Sequence, residues 1–424
     1  MPEERRLPET FLLGTATAGL QIEGGPARNS WYRWADQGHI KDGSHPSRAN
    51  DHWRRYEEDV ELIRRLGSHT HRLGVEWARI EPDEGVFDAD ALARCRREIE
   101  LLRDAGVIPL VTLHHFTNPL WVEDDGGWLD ERIVDRFERY VRHVVGELCD
   151  LVTDWVTINE PNIYLLEGYV LHEWPPGRSS LVDYLRGTRR MIEAHRAAYT
   201  AIHEIARERA VPARAGVAHH VRVFDPAGGF VASLLARMIE HLVQGVFLDG
   251  TINGTRHRRD RGASGPGRFS DFLGINYYTR DIVRPAWAPA QGFARREVAE
   301  GRPTNDLGWE IYPEGLSRLV ERYATKYSLP VWITENGIPD SRDELRASFI
   351  TAHLNEVAGL VARGINVERY YYWTLVDNFE WVEGEAARFG LYHCDFETQE
   401  RRLRESGKLY REICRTRRFT PGDI

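Results

Sequence analysis

"VWITENGIPD", residues 331–340, is the stretch on which the reading of this chain turns. Val331, Trp332, Ile333 and Thr334 are β-branched or aromatic and suit a buried strand. Glu335 and Asn336 then bring polar groups to the strand's end. An ionised carboxylate is costly to bury unless it is paired or hydrogen-bonded. Glu335 therefore either opens a solvated loop or is held at the mouth of a cavity to do chemistry. The segments on either side decide between these.

Seven more segments read the same way. They are "TFLLGTAT" (10–17), "HTHRLGV" (69–75), "VIPLVTLHH" (107–115), "DWVTINEP" (154–161), "ARAGVAHHV" (213–221), "DFLGINYY" (271–278) and "ERYYYWTLV" (368–376). Several are largely apolar and not alternating, as strands covered on both faces should be. Helical patterns fill many of the gaps. "WRRYEEDVELIRRLG" (53–67) sets Tyr56, Val60, Ile63 and Leu66 at helical spacing and ends in a glycine. Residues 91–106, 130–148 and 348–364 repeat the design. Eight strands with helices between them predict an α/β fold, a single closed (β/α)8 TIM barrel forming one catalytic domain over residues 1–424. An open doubly wound sheet is the rival, but no GxGxxG follows the first strand.

Catalytic groups in such a barrel sit at the C-terminal ends of the strands. The polar residues there are Glu23, Arg72, His114, His115, Asn159, Glu160, Asn276, Tyr278, Glu335 and Asn336, which come from distant parts of the chain. Glu160 in "TINEP" and Glu335 in "ITENG" stand out, on the fourth and seventh strands. Cleaving an acetal needs one group to protonate the leaving oxygen and another to stabilise or attack the oxocarbenium-like carbon. Two carboxyls share those tasks when their surroundings push their pKa values apart. Arg72 and Tyr278 can donate to Glu335 and keep it ionised. Glu160 has no cation in its motif and can stay protonated, and Asn159 can donate to a sugar hydroxyl.

Bulk composition narrows the function classes. The formal net charge is -9 and the pI about 6.0, with no basic stripe, which argues against nucleic acid as a partner. The short Arg-rich runs at 256–261 and 401–404 read as solvated surface. With 13 Trp, 17 Tyr and 15 Phe, the chain has aromatic rings to spare for stacking on flat, partly apolar ligands such as sugars. No segment reads as long and apolar enough to span a membrane, and "MPEERRLPETFLLG" lacks the apolar stretch of a secretory leader. Cys95, Cys149, Cys394 and Cys414 are scattered, which sets the expectation of free thiols in a reducing cytoplasm and no metal site. Adjacent histidines (His114/His115, His219/His220) point to opposite faces of a strand, so they make poor joint ligands.

The chain resembles glycoside hydrolase family 1, the β-glucosidase family of retaining enzymes. The likeness runs from Phe11 to about Asp395 through "FLLGTATAGLQIEGG", "HRLGVEWARIEPDEG", "TLHHFTNP", "WVTINEPN", "DFLGINYYT", "TNDLGWEIYPEGL", "VWITENG", "WTLVDNFEWVEG" and "RFGLYHCDF". The resemblance implies a retaining β-glycosidase of small-molecule β-glycosides, glucosides first with galactosides and fucosides open, that needs no cofactor. It implies Glu160 as general acid/base and Glu335 as nucleophile, with Arg72 and Tyr278 tuning Glu335 and Asn276 supporting the site. Gln21, His115, Asn159, Glu380 and Trp381 would hold glycone hydroxyls, Trp373 would form the stacking floor, and Trp309 would shape the aglycone side. Glu380 and Trp381 of "NFEW" also imply an unphosphorylated sugar, because a carboxylate beside the distal hydroxyls repels a phosphate. Departures from the family pattern fall around the rim: Phe116, the His172–Glu173 pair, and "EGEAARFG". A transglycosylase working through the same intermediate and a catalytically silent sugar-binding barrel are the alternatives.

Overall fold

Every one of the eight segments forms a strand. The computed structural model describes residues 3–254, 268–286 and 294–422. The strands are β1 (Leu12–Ala16), β2 (Thr70–Gly74), β3 (Ile108–Thr112), β4 (Asp154–Asn159), β5 (Arg214–His220), β6 (Leu273–Asn276), β7 (Val331–Asn336) and β8 (Val367–Trp373). All neighbours are parallel, and β8 pairs with β1 to close the barrel. The helices α1 (His52–Leu66), α2 (Ala89–Asp104), α3 (Ile133–Leu148), α4 (Leu181–Arg209), α5 (Gly229–Asn253), α6 (Pro313–Tyr327), α7 (Arg346–Ala362) and α8 (Glu405–Thr416) surround it.

The four helices read from the sequence form as α1, α2, α3 and α7. In α3, Ile133, Phe137, Tyr140, Val141, Val144 and Leu148 make one stripe, and all are buried. The Asp88 carboxylate caps α2 by accepting from the Asp90 and Ala91 amides. Gly67 ends α1 in the left-handed conformation that a glycine reaches without strain.

Two features lie outside the sequence expectation. A three-stranded sheet of Val223–Pro226, Arg280–Pro285 and Ala294–Glu297 is built from the connections that leave β5 and β6. The statement that no segment is long and apolar enough to span a membrane also needs correction. By length and composition α5 is such a segment, with 25 residues and a mean hydropathy of 1.4 in its most apolar window. Only 28% of that window is buried, yet α5 is docked on the barrel: Gly250 lies against Ile192 of α4, and Ala236 packs with Phe224 and Val283 of the small sheet. The arginine run at 256–261 lies outside the described residues.

The strand register aims the two carboxylates. Along β4, Val156 stands opposite Gly216 but Asn159 stands opposite Ala218, so β4 carries one residue more than β5. Along β7, Ile333 faces Ile275 and Glu335 faces Asn276, again one residue more. Such bulges break the alternation of side chains and re-aim the residue that follows, and they recur beside active sites. Glu160 then leaves β4 with φ 40° and ψ 56°, in the left-handed region, directly before Pro161 opens the next helix. A non-glycine residue held there costs roughly 1–3 kcal/mol, a strain found at sites the surrounding structure over-determines.

Candidate active site

The C-terminal ends of the strands open into a cavity of about 390 Å³, within the range of small-molecule sites. Nine of the twelve residues expected from the sequence line it: Glu160, Glu335, Tyr278, His115, Asn159, Trp309, Trp373, Glu380 and Trp381. Arg72, Asn276 and Gln21 are buried behind that wall.

Arg72 is fully buried and ties three strands together. Its Nη1 donates to Glu335 Oε1 (2.6 Å), its Nη2 to Asn159 Oδ1 (2.7 Å) and its Nε to Thr112 Oγ1 (2.9 Å). The hydroxyl of Tyr278 donates to the other oxygen of Glu335 at 2.7 Å. Glu160 is dressed differently. Asn276 Nδ2 donates to Glu160 Oε1 at 2.8 Å and also to Asn159 Oδ1 at 3.0 Å. Thr334 Oγ1 donates to Asn276 Oδ1 (2.6 Å), which fixes the way that amide faces. One connected frame, Glu160–Asn276–Asn159–Arg72–Glu335, thus holds both carboxyls.

Electrostatics modifies the expectation for Glu335. Burial pushes its carboxyl up, to about 7; Arg72 and the Tyr278 hydrogen bond pull it down, and the charge of Glu160 raises it. The sequence suggests only the lowering partners, because burial is not legible in a short motif. Of the two carboxyls only Glu335 accepts from both a guanidinium and a phenol, and such donors favour its charged form.

Around the sugar-sized space, Glu380 Oε2 accepts from Gln21 Nε2 at 2.9 Å, and Gln21 Oε1 is buried without a partner. Burial pushes Glu380 up to about 8, against the Gln21 hydrogen bond and with the charges of Glu335 and Glu160. At neutral pH it is largely an uncharged donor, so repulsion of phosphate does not rest on its charge. Among the described lining residues the arginine and lysine are Lys41, paired with Glu383, and Arg222, which donates to Asp281 at 2.9 Å. No unpaired cation remains there to receive a phosphate. His115 Nε2 accepts from Asn159 Nδ2 at 2.9 Å, and burial with Arg72 nearby holds its ring neutral. Trp373 lies 6.0 Å from His115, and Trp309 stands edge-on to Tyr278 at 5.9 Å.

Of the lining residues given no role from the sequence, His220, Arg222 and Trp174 stand against the groups described above. His220 Nδ1 lies 3.3 Å from Glu160 Oε1, while Arg222 Nε donates to His220 Nε2 at 3.3 Å. That leaves the His220 proton on Nδ1, facing Glu160. His220 closes β5, so the strand-end rule applied to the fifth strand would have found it. Its neighbour His219 points away, to Gly274 O and Thr251, as strand alternation requires. Trp174, from the "LHEWPPG" departure, packs on Trp381 with centroids 5.8 Å apart and walls the rim. His114 bonds Asn118 at 2.9 Å and Glu23 pairs with Arg79, both outside the cavity wall.

The family model described as "Glycosyl hydrolase family 1" matches residues 3–263 and 267–419. Beta-glucosidase A of Thermotoga maritima is 30% identical, over 96% of this chain and 98% of that protein. A beta-galactosidase of Pyrococcus woesei is 31% identical, over 96% of each. Among solved structures, a beta-glycosidase from Pyrococcus horikoshii superposes with a TM-score of 0.89 at 35% identity, over 99% of this chain and 96% of that one. Beta-glucosidase from Thermotoga maritima in complex with glucoimidazole gives 0.88 at 28% identity, over 97% and 99%.

Proposed function

Because this chain belongs to glycosyl hydrolase family 1 and is an O-glycosyl hydrolase of the β-glycosidase type, we propose that it hydrolyses unphosphorylated β-D-glucosides with retention of configuration, β-galactosides and β-fucosides being further substrates. One observation carries this reading: the unequal dressing of the two carboxyls. Glu335 accepts from Arg72 and Tyr278, whereas Glu160 meets an amide and an imidazole. Environments that differ in this way separate an anionic nucleophile from a proton donor.

In the first step a Glu335 oxygen attacks the anomeric carbon while Glu160 gives its proton to the departing glycosidic oxygen. The bond from carbon to aglycone breaks as the bond to Glu335 forms. In the second step water attacks the same carbon, Glu160 takes the water's proton, and the ester to Glu335 breaks. Two inversions leave the sugar in its original β-configuration. Asn276 and Arg72 keep the carboxyls in place through both steps. Glu380, His115, Asn159 and Trp381 are assigned to glycone hydroxyls over Trp373, and Trp309 with Trp174 to the aglycone side. The buried, unpartnered oxygen of Gln21 fits a hydroxyl that the sugar would supply. The paired state of Lys41 and Arg222 supports an unphosphorylated sugar.

Proton NMR of the first product tests the mechanism. The β-anomer should appear before mutarotation; an initial α-anomer overturns retention. Higher kcat/KM on a 6-phospho-β-glucoside than on the plain glucoside overturns the substrate class.

A further inference from the structure

Of the twelve large hydrophobic side chains that are exposed among the described residues, eight sit on just two helices. Phe230, Leu234, Met238 and Leu242 recur every fourth residue along α5, with Val231 beside them; Leu181, Val182 and Leu185 occupy the first turns of α4. Phe230 is 77% exposed and Leu181 64%. The helices run side by side in the same direction: Tyr184 Oη donates to Leu242 O at 3.1 Å, and eight residues further along both helices Ile192 lies against Gly250. Leu181 and Leu185 therefore come level with Met238 and Leu242, and the two stripes make one patch. The opposite side of α5 is spoken for, since Leu235, Ala236 and Ile239 pack on Phe224, Val283 and Ala294 of the small sheet. Monomeric soluble proteins rarely leave so much contiguous apolar surface uncovered.

We propose that this patch is the contact surface of a homodimer, in which the α5 stripe of one copy packs against that of a second copy about a twofold axis between Leu234 and Met238. The area fits. The eight side chains together expose on the order of 800 Å², which is about what one partner contributes to a standard stable interface. The pattern fits as well. A straight i, i+4 ridge is self-complementary, as an isologous contact requires. A lipid surface is the weaker occupant. The chain's net charge of -9 opposes an anionic membrane, and α5 is held to the barrel by α4 and the small sheet along its inner side.

Sedimentation and light scattering of the full chain at micromolar concentration test this. The wild type should show twice the 48.9 kDa chain mass. Leu234→Glu with Met238→Glu should show the single mass, with aryl glucosidase activity and far-UV circular dichroism unchanged. All four native cysteines are buried, so the double variant Leu234→Cys with Met238→Cys, whose two positions face each other across that axis, adds exposed thiols that should cross-link copies under mild oxidation. A monomeric wild type, a charged variant that stays dimeric, or a double cysteine variant that does not cross-link would overturn the proposal. So would a monomeric wild type that floats with phosphatidylcholine–phosphatidylglycerol vesicles.

Discussion

Replacing Tyr278 by Phe removes one hydroxyl and leaves the ring, which is wedged against Trp309. That hydroxyl donates to Glu335 Oε2 at 2.7 Å at the half-buried edge of the ring. A hydrogen bond to a charged group contributes about 1.5–3 kcal/mol. At about 1.4 kcal/mol per factor of ten, kcat/KM on 4-nitrophenyl β-glucoside should fall by roughly 10- to 150-fold. The pH profile should move too, and its sign is fixed. Glu335 must be ionised to attack, and the Tyr278 bond lowers a carboxyl that burial has pushed up to about 7. Without that bond the carboxyl rises further, so the acidic limb of kcat/KM shifts to higher pH. Trapping with a 2-deoxy-2-fluoro glucoside isolates the step, and its rate should fall with kcat/KM. Wild-type kcat/KM in Tyr278→Phe, or a loss that is uniform across pH, would refute the assignment of Tyr278 as the tuning partner of Glu335.

Glu160→Gln should spare the first step with dinitrophenyl glucoside and lose progressively more as the leaving group worsens, because only poor leaving groups need a proton; an even loss across a leaving-group series would remove Glu160 as the acid. His220→Ala should cost about 2- to 10-fold in kcat/KM, the range of one ordinary hydrogen bond, with His220→Asn recovering part of it; unchanged kinetics in both would show that the contact with Glu160 is idle. Glu380→Ala should erase the difference in kcat/KM between glucoside and galactoside, since a half-buried carboxyl that bonds a hydroxyl discriminates by its position; a preserved difference would move the reading of that epimer elsewhere. A last expectation concerns stability. For buried His52, desolvation lowers its pKa, but Glu98 and Asp59, at 2.9 and 2.8 Å, outweigh it and hold the ring at about 9. A folded-state value raised above the ordinary 6.5 means stability present below pH 6.5 and lost as pH rises through 9, on the order of 3 kcal/mol. Urea midpoints from pH 6 to 9.5 should fall in the wild type and fall less in His52→Gln; parallel slopes would exclude the imidazolium.

Local pattern was enough for the barrel. Several of the eight strands are short apolar runs ended by polar residues, and that signal lies within ten residues of sequence, so it survives without knowledge of the fold. The rim residues were legible through a topological rule: once the eight units are counted, Glu160 and Glu335 must open onto the same mouth. Tertiary structure decided the rest. The extra residue in β4 and in β7 appears only when each strand is set against its neighbour. The bond from His220 to Glu160 joins residues 60 apart; "GVAHHV" places His220 at a strand end but does not name its partner. The outward stripe on α5 is the same, since a periodic apolar helix reads as core until its neighbours are known to cover only the other side. The protonation of Glu335 is the sharpest case. Its partners Arg72, Glu160 and Tyr278 come from three other strands, and its largest perturbation is burial itself. Desolvation and Coulomb energy depend on distances and on the exclusion of water, and a linear sequence carries neither.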